Sequence, residues 1–378
     1  MLLACPVTVL PIPEPDRNRT FVPGKEKNAM TSLAEVVDVV IGVDTHKHTH
    51  TAAVVLAGTG AAVEHRTVDT DPHGYDHLVS MADEHSGLRV WAIEGTGGYG
   101  AGLTRFLAER GETVIELDRP NRPARRNGAK SDPLDAVRAA REVLTREHHA
   151  QPRAGGDRAA LSVLLAARRS AVDAATIAQH QLHALVTASP EVVRAKFRGR
   201  PTRSMLSTAT RLRTSPNWDV ETATTAQVLR SLARRCLALE TEAKDHEQAI
   251  LAIVRTWRPD LLDQQGIGPI VAAVVLCAWS HPGRCRNEAA FANLAGVAPI
   301  PASSGQTTRY RLNRCGDRQL NRALHVIALT RLRYDPATRA YAERRRSEGK
   351  TDREIKRCLK RYIARQLYRQ LEAGQSPT

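Results

Sequence analysis

The chain has 378 residues, 42% of them hydrophobic, which is enough for two or three domains each with its own core. Its 55 Lys and Arg against 40 Asp and Glu leave a net charge of +15, which favours a polyanionic partner, whether DNA, RNA or an acidic membrane surface, over an acidic one. Six scattered cysteines without a CxxC pair argue against a disulfide framework and a structural zinc knuckle, and no apolar run has the length to span a bilayer.

The opening "MLLACPVTVLPIPEPDRNR" has no basic leader and is broken by prolines. Residues 1–33 read as a disordered tail or an upstream start, with Met30 as the alternative initiator, and the protein is expected to be cytoplasmic and nucleoid-associated. From residue 36 the pattern is strand-like: 36–44 (VVDVVIGVD), 51–57 and 61–68, separated by short polar or glycine turns, which predicts an antiparallel meander. A helix over 71–85, a buried strand over 88–94, a second helix over 100–110, a fifth strand over 112–117 and a helix from Pro133 follow. The order βββαβαβα fits a mixed sheet with helices on its faces.

Residues 155–258 carry long Ala- and Leu-rich helical periodicity, expected as an antiparallel hairpin or coiled coil serving core packing or dimerisation. The basic stretch 194–207 between the two helices is expected to be an exposed linker. Past Pro259, the Gly266-Ile-Gly268-Pro sequence lies between helical patterns. It is either a helix-hairpin-helix turn whose glycines admit a phosphate or a plain tight turn. An arginine-dense helical tail ends the chain, and the low aromatic content argues against base stacking as the main binding mode.

Four carboxylates stand out. Asp44 ends the first strand, Glu94 ends the fourth, and Asp132 and Asp135 flank Pro133 at a helix start. Acids in a first helical turn complement the helix dipole, and Ser131 or Asp132 suits the cap position. If strands one and four are neighbours, however, the four acids converge, and their repulsion calls for cations such as a pair of Mg²⁺ ions. "GTGGYG" at 95–100 matches the dinucleotide fingerprint, but Glu94 abuts its first glycine and its strand is not the first of the sheet, so we set it aside. His46, His48 and His50 alternate and so share one face if they continue a strand, giving either a zinc site or a solvated edge with Lys47 or His46 near the acids.

With these blocks in place the chain resembles the transposases of the IS110 family. "GVDTHKHTHTAAVV", "AIEGTGGYG" and "KSDPLDAVRAAR" resemble their catalytic blocks, and "GIGPIVAAVV" with "FANLAGVAPIPASSGQTTRYRLNRCGDRQLNRALH" resembles their second conserved domain. The resemblance implies an RNase H-like, RuvC-type domain at 34–150, a helical connector or oligomerisation region at 151–258 and a mainly helical transposase domain at 259–378. It implies Asp44, Glu94, Asp132 and Asp135 as catalytic ligands of Mg²⁺ or Mn²⁺, and a serine nucleophile at Ser304, with Ser303 the alternative register. DNA-end and target binding, a structured non-coding guide RNA and a homo-oligomer, dimer or tetramer, are implied in the same way; no membrane partner is expected. Lys47, Gly266, Gly268, Arg309, Arg311 and Arg314 are the candidate nucleic-acid contacts, three of them arginines suited to phosphate. The rival functions are a RuvC-like Holliday-junction nuclease using water and a domesticated nucleic-acid-binding protein without catalysis.

Overall fold

A computed structural model describes residues 32–117, 131–301, 310–311, 313 and 316–373, so most of the expected N-terminal tail lies outside the described residues. The chain parts into two units: Met1–Gly95 with Phe106–His149, and Thr96–Arg105 with Ala150–Thr378.

In chain order the elements up to residue 149 are α1 (Leu33–Val36), β1 (Val39–Thr45), β2 (Thr49–Leu56), β3 (Ala62–Asp69), α2 (Pro72–Asp83), β4 (Arg89–Glu94), α3 (Ala101–Glu109), β5 (Val114–Leu117) and α4 (Asp132–Thr145). The five strands form one sheet in the order β3-β2-β1-β4-β5, antiparallel from β3 to β1 and parallel from β1 to β5. This mixed sheet is consistent with an RNase H-like domain. Val39 to Val43 of β1 are all buried, as a central strand covered on both faces requires, whereas β3 at the edge is mostly exposed or partly buried and buries only Val68.

One face of the sheet is covered by α4. Val40, Val55, Val90, Ala92 and Leu117 pack there with Ala139, Ala140 and Val143. Gly42 makes this approach possible: a Cβ built on it would lie 2.0 Å from the Ala136 carbonyl oxygen and 2.7 Å from the Ala140 nitrogen. The helix backbone therefore rests directly on the middle of β1, and the register of α4 over the strand is set by where the chain has no side chain.

The second unit contains α5 (Gly156–Ala188), α6 (Glu191–Arg194), α7 (Thr202–Thr210), α8 (Val220–Trp257), α9 (Pro269–Trp279), α10 (Glu288–Leu294), the strands β6 (Ile300–Pro301) and β7 (Tyr310–Arg311), then α11 (Arg318–Tyr334), α12 (Pro336–Ser347) and α13 (Asp352–Ala373). The long helices α5 and α8 run antiparallel, since Arg168 pairs with Glu247 while Gln179 bonds Glu240 and the Cys236 thiol meets the Ala175 carbonyl. The stretch 194–207 exposes most of its residues, as expected of it, but it is folded rather than a plain linker. Phe197, Met205 and Leu206 are buried against Leu182 and Leu229, the first from a 3-10 turn at Ala195–Phe197 and the other two from α7.

At the far end of the pair, Leu161 and Ile250 join α9, α11 and α13 in a second core around Trp279 and Phe291. Gly266, at φ 89°, backs onto α11 with Ile327 Cα and Thr330 Cβ each 3.2 Å from where its Cβ would be, so close helix packing accounts for this glycine. No described helix is long and apolar enough to cross a membrane.

Candidate functional site

Parallel pairing of β1 with β4 runs in register from Val39–Arg89 to Val43–Ile93, which brings Asp44 and Glu94 side by side at the carboxyl ends of the two strands. Thr45 fastens them by donating its hydroxyl to the Glu94 carbonyl at 3.0 Å. Because side chains alternate along a strand, Asp44 and Glu94 fall on the same face as Gly42 and Ala92, the face covered by α4. The first turn of α4 then extends beyond Gly42 toward the strand ends and brings Asp132 to Asp44.

Between these two acids sits His46. Its Nε2 is 3.2 Å from Asp44 Oδ2 and 3.6 Å from Asp132 Oδ1, and among the described residues the three side chains form a group whose ligand atoms lie within 4.8 Å of one another. Asp135, one turn further on, ion-pairs through Oδ1 with Arg138 at 2.7 Å and stands outside this trio, as does Glu94 in the neighbouring register position. Ser131 occupies the N-cap position of α4 but its side chain caps nothing, so the capping role expected for this stretch is not filled by its hydroxyl.

Electrostatically the site is crowded with negative charge. Burial pushes the Asp44 carboxyl above its usual range, Asp132 and Asp135 push it further, and the His46 imidazole pulls it back. A contrast is Asp38 before the start of β1, which simply accepts the Leu88 amide at 2.7 Å. Hard carboxylate oxygens from Asp44 and Asp132, a nearby imidazole and two more acids within one helical turn or one strand position suit a divalent cation, whose charge would relieve the repulsion.

The alternating histidines do not share a face. The chain turns between His46 and Thr49, whose backbones bond at 3.0 Å, and His50 pairs with Thr45, on the side of the sheet away from the acids. There it is fully buried, stacked on Tyr75 with ring centroids 5.8 Å apart, and burial holds its pKa below the ordinary imidazole value. Of Lys47 and His46, the two residues expected near the acids, it is His46 that faces the carboxylates, while Lys47 is exposed. The signal was the Asp44-x-His46 spacing, two residues apart at the end of a strand.

Of the remaining candidates, Gly268 is the N-cap of α9 with open space where a Cβ would be, and Arg311 is exposed on β7, paired with Ile300. Ser303, Ser304, Arg309 and Arg314 lie outside the described residues.

Two family models match this chain. One, described as "Transposase" and of the DEDD type found in IS110, covers residues 41–189, which include all four acids. The other, "Transposase IS116/IS110/IS902 family", covers residues 260–343. Among curated proteins, the insertion element IS900 uncharacterized 42 kDa protein of Mycobacterium paratuberculosis is 28% identical over 82% of this chain and 89% of its own length. The insertion element IS110 uncharacterized 43.6 kDa protein of Streptomyces coelicolor is 32% identical over 40% of this chain and 38% of its own. The insertion element IS116 uncharacterized 44.8 kDa protein of Streptomyces clavuligerus is 28% identical over 31% of this chain and 30% of its own. Two models of one family, matched in order across both units and joined by relatives from three insertion elements, place the chain in the IS110 family of DNA transposases.

Proposed function

We propose that this transposase cleaves and rejoins DNA strands at the ends of its insertion element, with Asp44, Glu94, Asp132 and Asp135 as the metal-binding acids and Ser304 as the nucleophile. What carries the reading is the convergence of Asp44 and Asp132 at the carboxyl end of β1, with Glu94 in the adjacent register position, in a chain of this family. When bound, a divalent cation, Mg²⁺ or Mn²⁺, supplies Lewis-acid polarisation of the scissile phosphate and favours an ionised nucleophile.

The protein's own residues do the rest. Gly42 and the Ala face of α4 hold Asp132 over the strand end, Thr45 fixes the Glu94 backbone, and the ion pair with Arg138 holds Asp135 within one turn of the site. The Ser304 hydroxyl forms an ester bond to the phosphorus as the strand's own P–O bond breaks, and the freed strand hydroxyl leaves with a proton. Attack by a hydroxyl of the partner strand reverses the exchange and releases the serine, so bond energy is conserved without a nucleotide cofactor. Lys47, Arg309, Arg311 and Arg314, with the open turn at Gly268, serve as backbone contacts in this reading, while Gly266 is given to helix packing. A structured guide RNA pairs with donor and target, and a dimer or tetramer assembled through the α5–α8 coiled coil brings the parts together.

The test incubates the full-length protein with element-end DNA, flanking RNA and Mg²⁺ and resolves products on a denaturing gel. A protein–DNA adduct that is lost in Ser304→Ala is the expected result. An adduct that persists in that variant overturns the serine assignment, and hydrolysis with no adduct assigns water as the nucleophile.

A further inference from the structure

Basic residues are concentrated at the end of the chain: residues 318–373 hold sixteen Lys and Arg against six Asp and Glu. Most of the charge is not evenly spread within this stretch. On α11, Arg318, Asn321, Arg322 and His325 recur at i, i+3, i+4 and i+7, and on α13, Arg353, Lys356, Arg357 and Lys360 repeat the same spacing, so each set forms a stripe along one side of its helix.

The two stripes meet. Lys360 donates to the Asn321 side-chain oxygen at 2.8 Å, and His325 lies near enough to Lys356 and Lys360 that burial and then their charges hold its pKa below the ordinary imidazole value. The acids of these helices are engaged elsewhere. Asp317 caps α11, Asp352 pairs with Arg346, Glu354 caps Thr351, and Glu288 of α10 takes Arg361 and Arg365. Among the described residues, Arg318, Arg322, Lys356, Arg357 and Lys360 have no carboxylate partner. Of the five, only Arg357 feels a nearby carboxylate among the described residues, that of Glu354, which Thr351 already engages; like charges gathered with so little compensation carry a cost that an external polyanion removes.

We infer that the α11–α13 face, with Arg318, Arg322, Lys356, Arg357 and Lys360, is a docking surface for the phosphate backbone of duplex DNA. This rests on the transposase reading for the identity of the polyanion and extends it to residues that were not among the candidate nucleic-acid contacts read from the sequence. The chemistry fits backbone tracking: Arg318, Arg322 and Arg357 are exposed and long enough to reach successive phosphates. The stripes contain no Phe, Tyr or Trp on which a base would stack. Lys360, tied to Asn321, is the fixed point of the surface, and the exposed arginines on either side supply its reach.

The experiment measures binding of the full-length protein to a fluorescein-labelled duplex by anisotropy over a series of salt concentrations, for the wild type and for Arg322→Gln/Lys356→Gln/Arg357→Gln. Each phosphate contact contributes about 0.9 to the slope of log K against log salt, so loss of three contacts lessens the slope by about 2–3. Lys360 is kept, since its bond to Asn321 is part of the packing. A triple variant whose melting point falls by more than a few degrees is replaced by the single Arg357→Gln, with an expected change in slope of about 1. A control, Arg203→Gln/Arg211→Gln/Arg213→Gln, removes equal charge from α7 and the segment after it and is expected to leave the slope near the wild-type value.

An unaltered slope in the α11–α13 variant, or an equal loss in the control, overturns the surface while the wild type still binds. Loss of affinity for a structured RNA alone, with duplex DNA binding intact, assigns the face to RNA and also overturns the proposal. Wild-type protein that does not bind duplex DNA at all overturns the transposase reading together with the surface, an outcome distinguishable from the other two.

Discussion

Asp44 is paid for in stability, since burial and two neighbouring acids raise its pKa and only His46 opposes them. The sign follows from linkage. A carboxyl whose folded pKa lies above its unfolded value binds more protons in the native state, so stability falls as the pH rises through that window and the cost is complete at neutral pH. In metal-free buffer at neutral pH, Asp44→Asn is therefore expected to melt above the wild type. Addition of Mg²⁺ should stabilise the wild type and not the variant; a lower melting point for Asp44→Asn would show that the carboxylate is structural. Asp132→Asn, half exposed and without a packing role, should keep its circular dichroism and melting point and lose well over about 100-fold in metal-dependent cleavage. Retained cleavage would return Asp132 to a helix-dipole role. The acids were legible because they sit where strands end and a helix starts. The sequence left Lys47 and His46 as alternatives beside the acids, because the choice between them depends on the tight turn to Thr49, which a period-2 alternation does not show.

At the scale of elements, the strands and helices of the sheet unit followed from β-branched runs and apolar periodicity, with shifts of one to three residues at most boundaries. What the pattern did not carry is the contact that makes the site, because Gly42 reads as an ordinary glycine within an apolar strand. Gly42→Ala puts a methyl group against the α4 backbone, where no side-chain rotation relieves it. We expect a loss of about 3 kcal/mol or more in urea unfolding, with α4 amides exchanging faster by hydrogen exchange and cleavage reduced; wild-type stability would mean that α4 shifts without cost. A second tie holds β4 in place. Glu112 accepts from Arg89 Nε at 3.0 Å and from Trp91 Nε1 at 2.9 Å, and the Arg89 bond, opposed by burial and aided by Trp91, holds its pKa below the carboxylate value of 4.5. Here the folded pKa is the lower one, so the stabilisation is present above about pH 4.5 and is lost as the pH falls through the depressed value. Chemical denaturation from pH 6 down to pH 3 should show Glu112→Gln losing less stability with acid than the wild type, and parallel curves would exclude the pair as a contributor.

Across the whole molecule the apolar residues separate into distinct cores. Val40, Ala92, Ala140 and their neighbours fill one within the sheet unit, while Leu182 with Cys236 and Trp279 with Phe291 anchor two others within the helical unit. The long helices were legible from their periodicity, but the burial within residues 194–207 was not, since Phe197, Met205 and Leu206 are dispersed among basic residues and are gathered only by a 3-10 turn and α7 together. Separate cores imply separate cooperativity, and the acids of the candidate metal site all belong to one of the two units. Calorimetry is therefore expected to resolve two transitions, and Mg²⁺ should raise only one of them, by the mass-action amount set by its concentration over its dissociation constant. Leu182→Ala, which opens a cavity in a fully buried position, should lower the other transition by about 2–5 kcal/mol and leave the Mg²⁺-sensitive one in place. A single transition that moves as a whole with both perturbations would mean that the units unfold as one, and the metal site would then draw its stability from the helices as much as from the sheet.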